Sequence, residues 1–210
     1  MCGFLYLYKK YVMKVLIIAL PRTGSTALMI GLSKSLNTEM ISEPWYQERP
    51  DKKIYPLKLK EKYVEKSMIT HVPQNLNISS EDFFLEYYKK FDCTILLGRR
   101  NLTEMTESLV YALENNRPWT NDWHTSYSIS KNKKFKNFDK VYKDYVQKTV
   151  DLVKLSSKIQ IPITWYEDLF LGNKNTVTGI IKEWALDIDQ EKFKKFLNPA
   201  NKYRKTTSII

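Results

Sequence analysis

Two hundred and ten residues, 43% of them hydrophobic, suit one globular domain with a sizeable core, and no second domain is expected. Thirty-four lysines and arginines against 23 acidic residues leave a formal net charge of +11, which draws an anionic partner in over about a Debye length, ~8 to 10 Å at physiological salt. Cys2 and Cys93 are the only cysteines, which excludes a disulfide framework or a Cys-x-x-Cys metal site and makes a reducing, cytoplasmic setting the expectation.

Residues 1–12 precede a second methionine, Met13, at which a strand begins, and read as an N-terminal extension to a domain over 13–210. The uncharged apolar run 15–20 is far short of the ~20 residues that a membrane span needs, and it leads into Pro21-Arg22 rather than a small-residue cleavage site. Neither a signal peptide nor an anchor is read, and no membrane partner is expected.

The run 15–20 breaks into Pro21-Arg22-Thr23-Gly24-Ser25-Thr26, and helical periodicity follows over 25–36. A turn of this kind suits an anion. The first four N–H groups of a helix have no partner within it, the macrodipole puts partial positive charge there, and Gly24 lets the backbone come close. Arg22, Ser25 and Thr26 add donors around the same point. A Walker loop reads G-x-x-x-x-G-K-[ST]; here Pro21 stands in place of the first glycine, and Ser25 rather than lysine follows Gly24. The same residues would also serve as a plain strand-to-helix turn with a hydroxyl cap.

Further along, strands are predicted over 39–42, 67–72, 93–97 and 161–165, and helices over 81–90, 102–114 and 138–157, the last with Val141, Tyr145, Val146, Val150 and Val153 as its apolar residues. Alternating short apolar strands and helices predict an α/β fold, a three-layer arrangement with a mostly parallel central sheet flanked by helices. Two stretches fit neither period and read as long loops over the active face: 44–66, rich in Lys, Pro and Tyr, and 115–137, with Trp119, Trp123, His124 and Tyr127. The basic run 131–136 reads as a solvated loop. No internal repeat or low-complexity tract is present.

The strand 93–97 continues as Gly98-Arg99-Arg100-Asn101 into a helix that carries Ser108. An arginine at the strand end and a serine two turns along the helix can face one phosphate at the carboxyl edge of a parallel sheet, where open α/β sheets bind their ligands. A helix start decorated with surface arginines is the plainer alternative.

Taken in order, Pro21-Arg22-Thr23-Gly24-Ser25-Thr26, Arg100-Asn101 with Ser108 eight residues on, and Trp165-Tyr166-Glu167-Asp168-Leu169 resemble the P-loop-like sulfotransferase family that uses 3′-phosphoadenosine 5′-phosphosulfate (PAPS). The resemblance runs from about residue 15 to 169 and is weak over the two long loops and the C-terminal part. It implies that Arg22, Thr23, Gly24, Ser25 and Thr26 hold the 5′-phosphosulfate, that Arg100 and Ser108 hold the 3′-phosphate, and that Tyr166 sits beside the adenine. It implies no metal. Arg204 or Lys205, in Tyr203-Arg204-Lys205-Thr206, would stand where the cytosolic members of the family carry a basic segment at the 3′-phosphate.

Sulfuryl transfer needs donors around the sulfonate and the bridging oxygen, and a base for the acceptor hydroxyl or amine. Arg22 would balance the charge on the leaving phosphate. For the base, Glu43 stands where tyrosylprotein and many carbohydrate sulfotransferases carry a catalytic glutamate, and His71, in Ile69-Thr70-His71-Val72-Pro73, resembles the base segment of the cytosolic enzymes, with Ile69 in place of its lysine. Glu43 is the preferred candidate. A carboxylate at its reference pKa near 4 is a weak base, so a glutamate in this role calls for partial burial, here against Trp45. Glu167 and Asp168 are read as structural acids at a helix start.

The acceptor is not named by the sequence. Trp45, Trp119, Trp123 and Tyr127 would suit a sugar or an aromatic ring, and the lysines of 52–66 an anionic acceptor. Two other classes stay open: a P-loop nucleotide or nucleoside kinase, against which Gly24-Ser25 argues, and a basic nucleic-acid-binding module, for which the charge argues but no recognised motif does. No nucleic-acid partner is expected.

Overall fold

The computed structural model describes residues 13–45, 62–73, 76–114 and 135–197. Among them are five strands, β1 (Met13–Ala19), β2 (Glu39–Ser42), β3 (Lys62–Met68), β4 (Cys93–Gly98) and β5 (Ile163–Trp165). They form one sheet in the order β2-β3-β1-β4-β5, with every neighbouring pair parallel. The helices are α1 (Ser25–Leu36), α2 (Ser80–Tyr87) with a 3₁₀ turn at Tyr88–Lys90, α3 (Leu102–Glu114), α4 (Phe138–Ile159), α5 (Tyr166–Phe170), α6 (Lys174–Glu183) and α7 (Gln190–Leu197). The expected α/β architecture, a parallel sheet between two helical layers, is the one found.

Strand alternation sorts the core into two faces. Val15, Ile17 and Ala19 of β1 meet Leu28, Met29 and Leu32 of α1, Val177 and Ile181 of α6, and Phe193 and Leu197 of α7. Leu16, Ile18 and Leu20 point the other way, onto Phe83 and Phe84 of α2, Met105 of α3, and Tyr145, Leu152, Leu155 and Ile159 of α4. Each such side chain, fully buried, is worth about 1.5 to 3 kcal/mol of transfer free energy, so β1 is the fold's main anchor. Gly31 lets α7 close on α1: a Cβ there would lie 3.1 Å from the Phe193 ring and from Phe196 Cβ.

Three expectations change. The stretch 44–66 does not end as a loop, because β3 begins at Lys62 and occupies the sheet position beside β1, ahead of the strand expected over 67–72. Its Tyr63, Glu65 and Ser67 alternate with Val64, Lys66 and Met68, and the buried charges conceal a central strand whose polar groups are satisfied inside the protein. On α4 the inward stripe is Tyr145, Leu152, Leu155 and Ile159, whereas Val146, Val150 and Val153 are exposed. Helices α6 and α7 were not anticipated; α6 is started by Asn173, whose Oδ1 accepts from the N–H groups of Asn175 and Thr176.

Residues 1–12, 46–61, 115–134 and 198–210 lie outside the described residues, and with them the N-terminal extension, Trp119, Trp123, His124, Tyr127, Arg204 and Lys205. No helix among the described residues is long and apolar enough to cross a membrane.

Candidate functional site

Every residue proposed for the chemistry and lying within the described chain follows the carboxyl end of a strand or stands on the helix after it. The loop after β1 is the centre. Arg22 (φ 64°) and Gly24 (φ 78°) both take left-handed backbone, which folds residues 21–24 into a tight turn that ends in the N-terminus of α1. Thr23 is fully buried, and its hydroxyl donates to the Leu20 carbonyl at 2.7 Å. That bond commits the Thr23 side chain to holding the turn. A glycine is required at 24, since a Cβ would lie 2.9 Å from Phe170 Cζ and 3.2 Å from Tyr166 Cε2.

On the β3 side, the ends of β2 and β3 bring a charged group to this loop. Glu43 follows β2 with left-handed backbone (φ 52°), its N–H donating to the Lys66 carbonyl at 2.6 Å. Its Oε1 lies 2.6 Å from Lys66 Nζ, and both side chains are almost out of solvent. Lys66 Nζ also donates to Thr26 Oγ1 at 3.0 Å, which ties the pair to the first turn of α1. His71 Nδ1 stands 3.9 Å from Glu43 Oε2. The two candidate bases are thus neighbours in one cluster. Trp45 packs edge-on against Phe83 and Tyr87, ring centroids 5.7 Å away in each case, so it anchors the Glu43 turn to α2.

Behind Trp45, Glu65 of β3 is buried, and its carboxylate accepts hydrogen bonds from Ser67 Oγ and Tyr87 Oη, each at 3.0 Å. Burial pushes the Glu65 carboxyl up to about 7, against the lowering effect of those two donors and of Lys90.

On the β4 side, Arg22 Nε donates to Ser108 Oγ at 2.9 Å, joining the loop to α3. Ser108 and Arg100, expected to share one phosphate, have different partners here. Arg100, half-exposed, donates through both terminal nitrogens to Asp168 at 2.7 Å, and its guanidinium holds the Asp168 carboxyl below the usual carboxylate range. Glu167 accepts from the backbone N–H groups of Arg100 and Asn101 at 3.0 to 3.1 Å, where α3 begins. Both acids stand in the first turn of α5, the helix start at which they were expected, and reach across to the start of α3. Tyr166 has Phe170 stacked at 4.8 Å and the Arg99 guanidinium 4.3 Å from its ring centre.

Sequence reasoning missed three residues. Lys66 was hidden in a lysine-rich stretch read as loop; the alternation of 62–68 was the signal that could have found it. Arg99 was overshadowed by Arg100, though its position at a strand end is equivalent. Tyr145, on α4, is fully buried, and its hydroxyl has no hydrogen-bond partner among the described residues. Burial raises its phenol pKa, while the positive charges of Arg22 and Arg99 oppose the rise, so it belongs to the electrostatic surroundings of the loop. No protein-family model and no curated protein matches the chain.

Taken together, the loop brings the N-terminus of α1, where a helix has amides without an intrahelical partner, and the side chain of Arg22 to one place. The Glu43–Lys66–His71 cluster, 3.9 Å across its longest link, offers a cation and two proton acceptors beside the same helix start.

Proposed function

We propose that the chain is a PAPS-dependent sulfotransferase, moving a sulfuryl group to a hydroxyl or amine of an acceptor. The observation that carries this reading is the link from Thr26, in the first turn of α1, through Lys66 to Glu43: a proton acceptor and a cation stand next to the anion loop that lacks the Walker lysine. A phosphosulfate on the α1 N-terminus would present its sulfur to that cluster.

In this reading the acceptor oxygen or nitrogen forms a bond to sulfur as the bond from sulfur to the 5′-phosphate oxygen breaks. The electron pair of the broken bond stays on the phosphate, giving adenosine 3′,5′-bisphosphate, and Arg22 offsets the charge that develops there. The acceptor's proton passes to Glu43, with His71 as the adjacent acceptor. Lys66, released in part from Glu43, faces the sulfonate oxygens. Ser25 and Thr26 add hydroxyls, Ser108 and Arg100 serve the 3′-phosphate, and Tyr166, packed against Phe170 and Arg99, borders the adenine. An anionic acceptor fits the positive charge of the chain, and two widely separated cysteines fit a cytoplasmic setting.

Calorimetric titration with adenosine 3′,5′-bisphosphate, with ADP and AMP as controls and no metal added, tests the reading. Saturable binding that needs the 3′-phosphate is expected. Equal binding of ADP would favour the kinase class, and binding of oligonucleotides alone, steeply dependent on salt, would favour a nucleic-acid module. With an acceptor in hand, Glu43→Gln should retain bisphosphate affinity and lose turnover by about 100-fold or more, as removal of a general base does.

A further inference from the structure

Arg99 is a buried guanidinium, 5% exposed, beside an arginine that reaches solvent. Such burial is costly unless donors are used, and here both terminal nitrogens are used while Nε has no hydrogen-bond partner among the described residues. Nη1 donates to the Arg22 carbonyl at 3.1 Å, and Nη2 lies 2.9 Å from Glu104 Oε2 on α3. The flat face rests on Tyr166 of α5. One side chain at the end of β4 therefore touches the loop, α3 and α5.

The partner in the loop decides what this does. Arg22 has φ 64°, a conformation that a residue with a Cβ seldom adopts and that persists only where its surroundings enforce it. Thr23 fixes the carbonyl of Leu20, two residues before Arg22, and Arg99 fixes that of Arg22 itself. With its backbone so held, the Arg22 side chain reaches Ser108. The next turn of backbone, at Gly24, opens α1.

We propose that Arg99 is a positioning residue, which by holding the Arg22 carbonyl keeps the loop in the left-handed turn that aims the Arg22 guanidinium at Ser108 and the start of α1 at an incoming anion. The role rests on the anion-binding reading of the loop given above. Arg99 acts through Arg22 and needs no contact with the ligand.

The test reads the loop without ligand and with it. In nitrogen–proton correlation spectra of the ligand-free protein, the Arg22 Nε–H, bonded to Ser108, should give a dispersed signal. Arg99→Met should move that signal to the position of a solvated arginine, leave the amide signals of β1 and β4 in place, and weaken adenosine 3′,5′-bisphosphate binding by about tenfold. An unmoved Arg22 signal overturns the proposal, whatever the affinity does, because Arg99 would then act on the ligand directly or not at all. If Arg99→Met unfolds the protein, Arg99→Lys decides: the ammonium side chain is shorter and lacks the planar fork whose two nitrogens span the Arg22 carbonyl and Glu104, so a shifted Arg22 signal with an intermediate affinity supports the role, and a wild-type signal overturns it. Should the wild-type protein bind no bisphosphate, the donor reading fails, while the spectra still decide whether Arg99 sets the loop.

Discussion

Lys66 and Glu43 form an ion pair of 2.6 Å with side chains only 4% and 7% exposed. Removing one partner of such a pair strands the other as a buried charge, at a cost of about 3 to 5 kcal/mol, whereas removing both costs less than the two losses added together. Urea unfolding of Lys66→Met, Glu43→Gln and the double variant should give that pattern. Additive losses would mean that the two charges are not coupled.

Arg100, assigned to the 3′-phosphate in the proposed function, is held by Asp168 through two hydrogen bonds. Arg100→Ala should weaken adenosine 3′,5′-bisphosphate binding by about 2 kcal/mol, the value of a charge-assisted contact, and Asp168→Asn, which leaves the arginine without its carboxylate, should strengthen it. Unchanged affinity in both variants removes Arg100 from the site.

Glu65 gives the fold a pH dependence opposite in sign to that of an ion-paired acid. Its carboxyl, at about 7 in the folded protein, ionises from 4.5 upward once unfolded. The folded state therefore binds the extra proton between those values, so stability is fully present below pH 4.5 and is lost as pH rises through 7, by about 3 kcal/mol. Glu65→Gln should remove this slope, read as the difference between urea midpoints at pH 5 and pH 8. An equal slope in the variant would assign it to another group.

Gly24→Ala places a methyl 2.9 Å from the Phe170 ring at φ 78°. The backbone strain and the contact together should cost about 1 to 3 kcal/mol in thermal unfolding and abolish the bisphosphate titration, because Phe170 and Tyr166 must move to admit the methyl. A stable variant with normal binding would show that the turn does not need this backbone.

The order of elements was legible because β1, β4 and α1 obey simple periods: Val15, Ile17 and Ala19 against Leu16 and Ile18, then Leu28 and Leu32 four apart. β3 broke the rule that central strands read as apolar runs, since Glu65 and Lys66 are buried and satisfied by partners distant in sequence, Tyr87 in one case and Glu43 in the other. The valines of α4 misled for the opposite reason: an apolar side chain is free to face water, as Val146, Val150 and Val153 do. At the candidate site, single motifs nominated Arg22, Glu43 and Ser108, but the pairing of Lys66 with Glu43 and of Arg99 with the Arg22 carbonyl depends on which strands lie side by side, and local spacing carries no record of that.

Because α7 closes over α1 at Gly31, the helix that follows the turn at residues 21–24 is synthesised early and covered last. A ribosome-bound chain holds Leu28, Met29 and Leu32 open on one side until Phe193 has emerged, so premature termination before α7 yields a sticky, chaperone-dependent fragment instead of a smaller working protein.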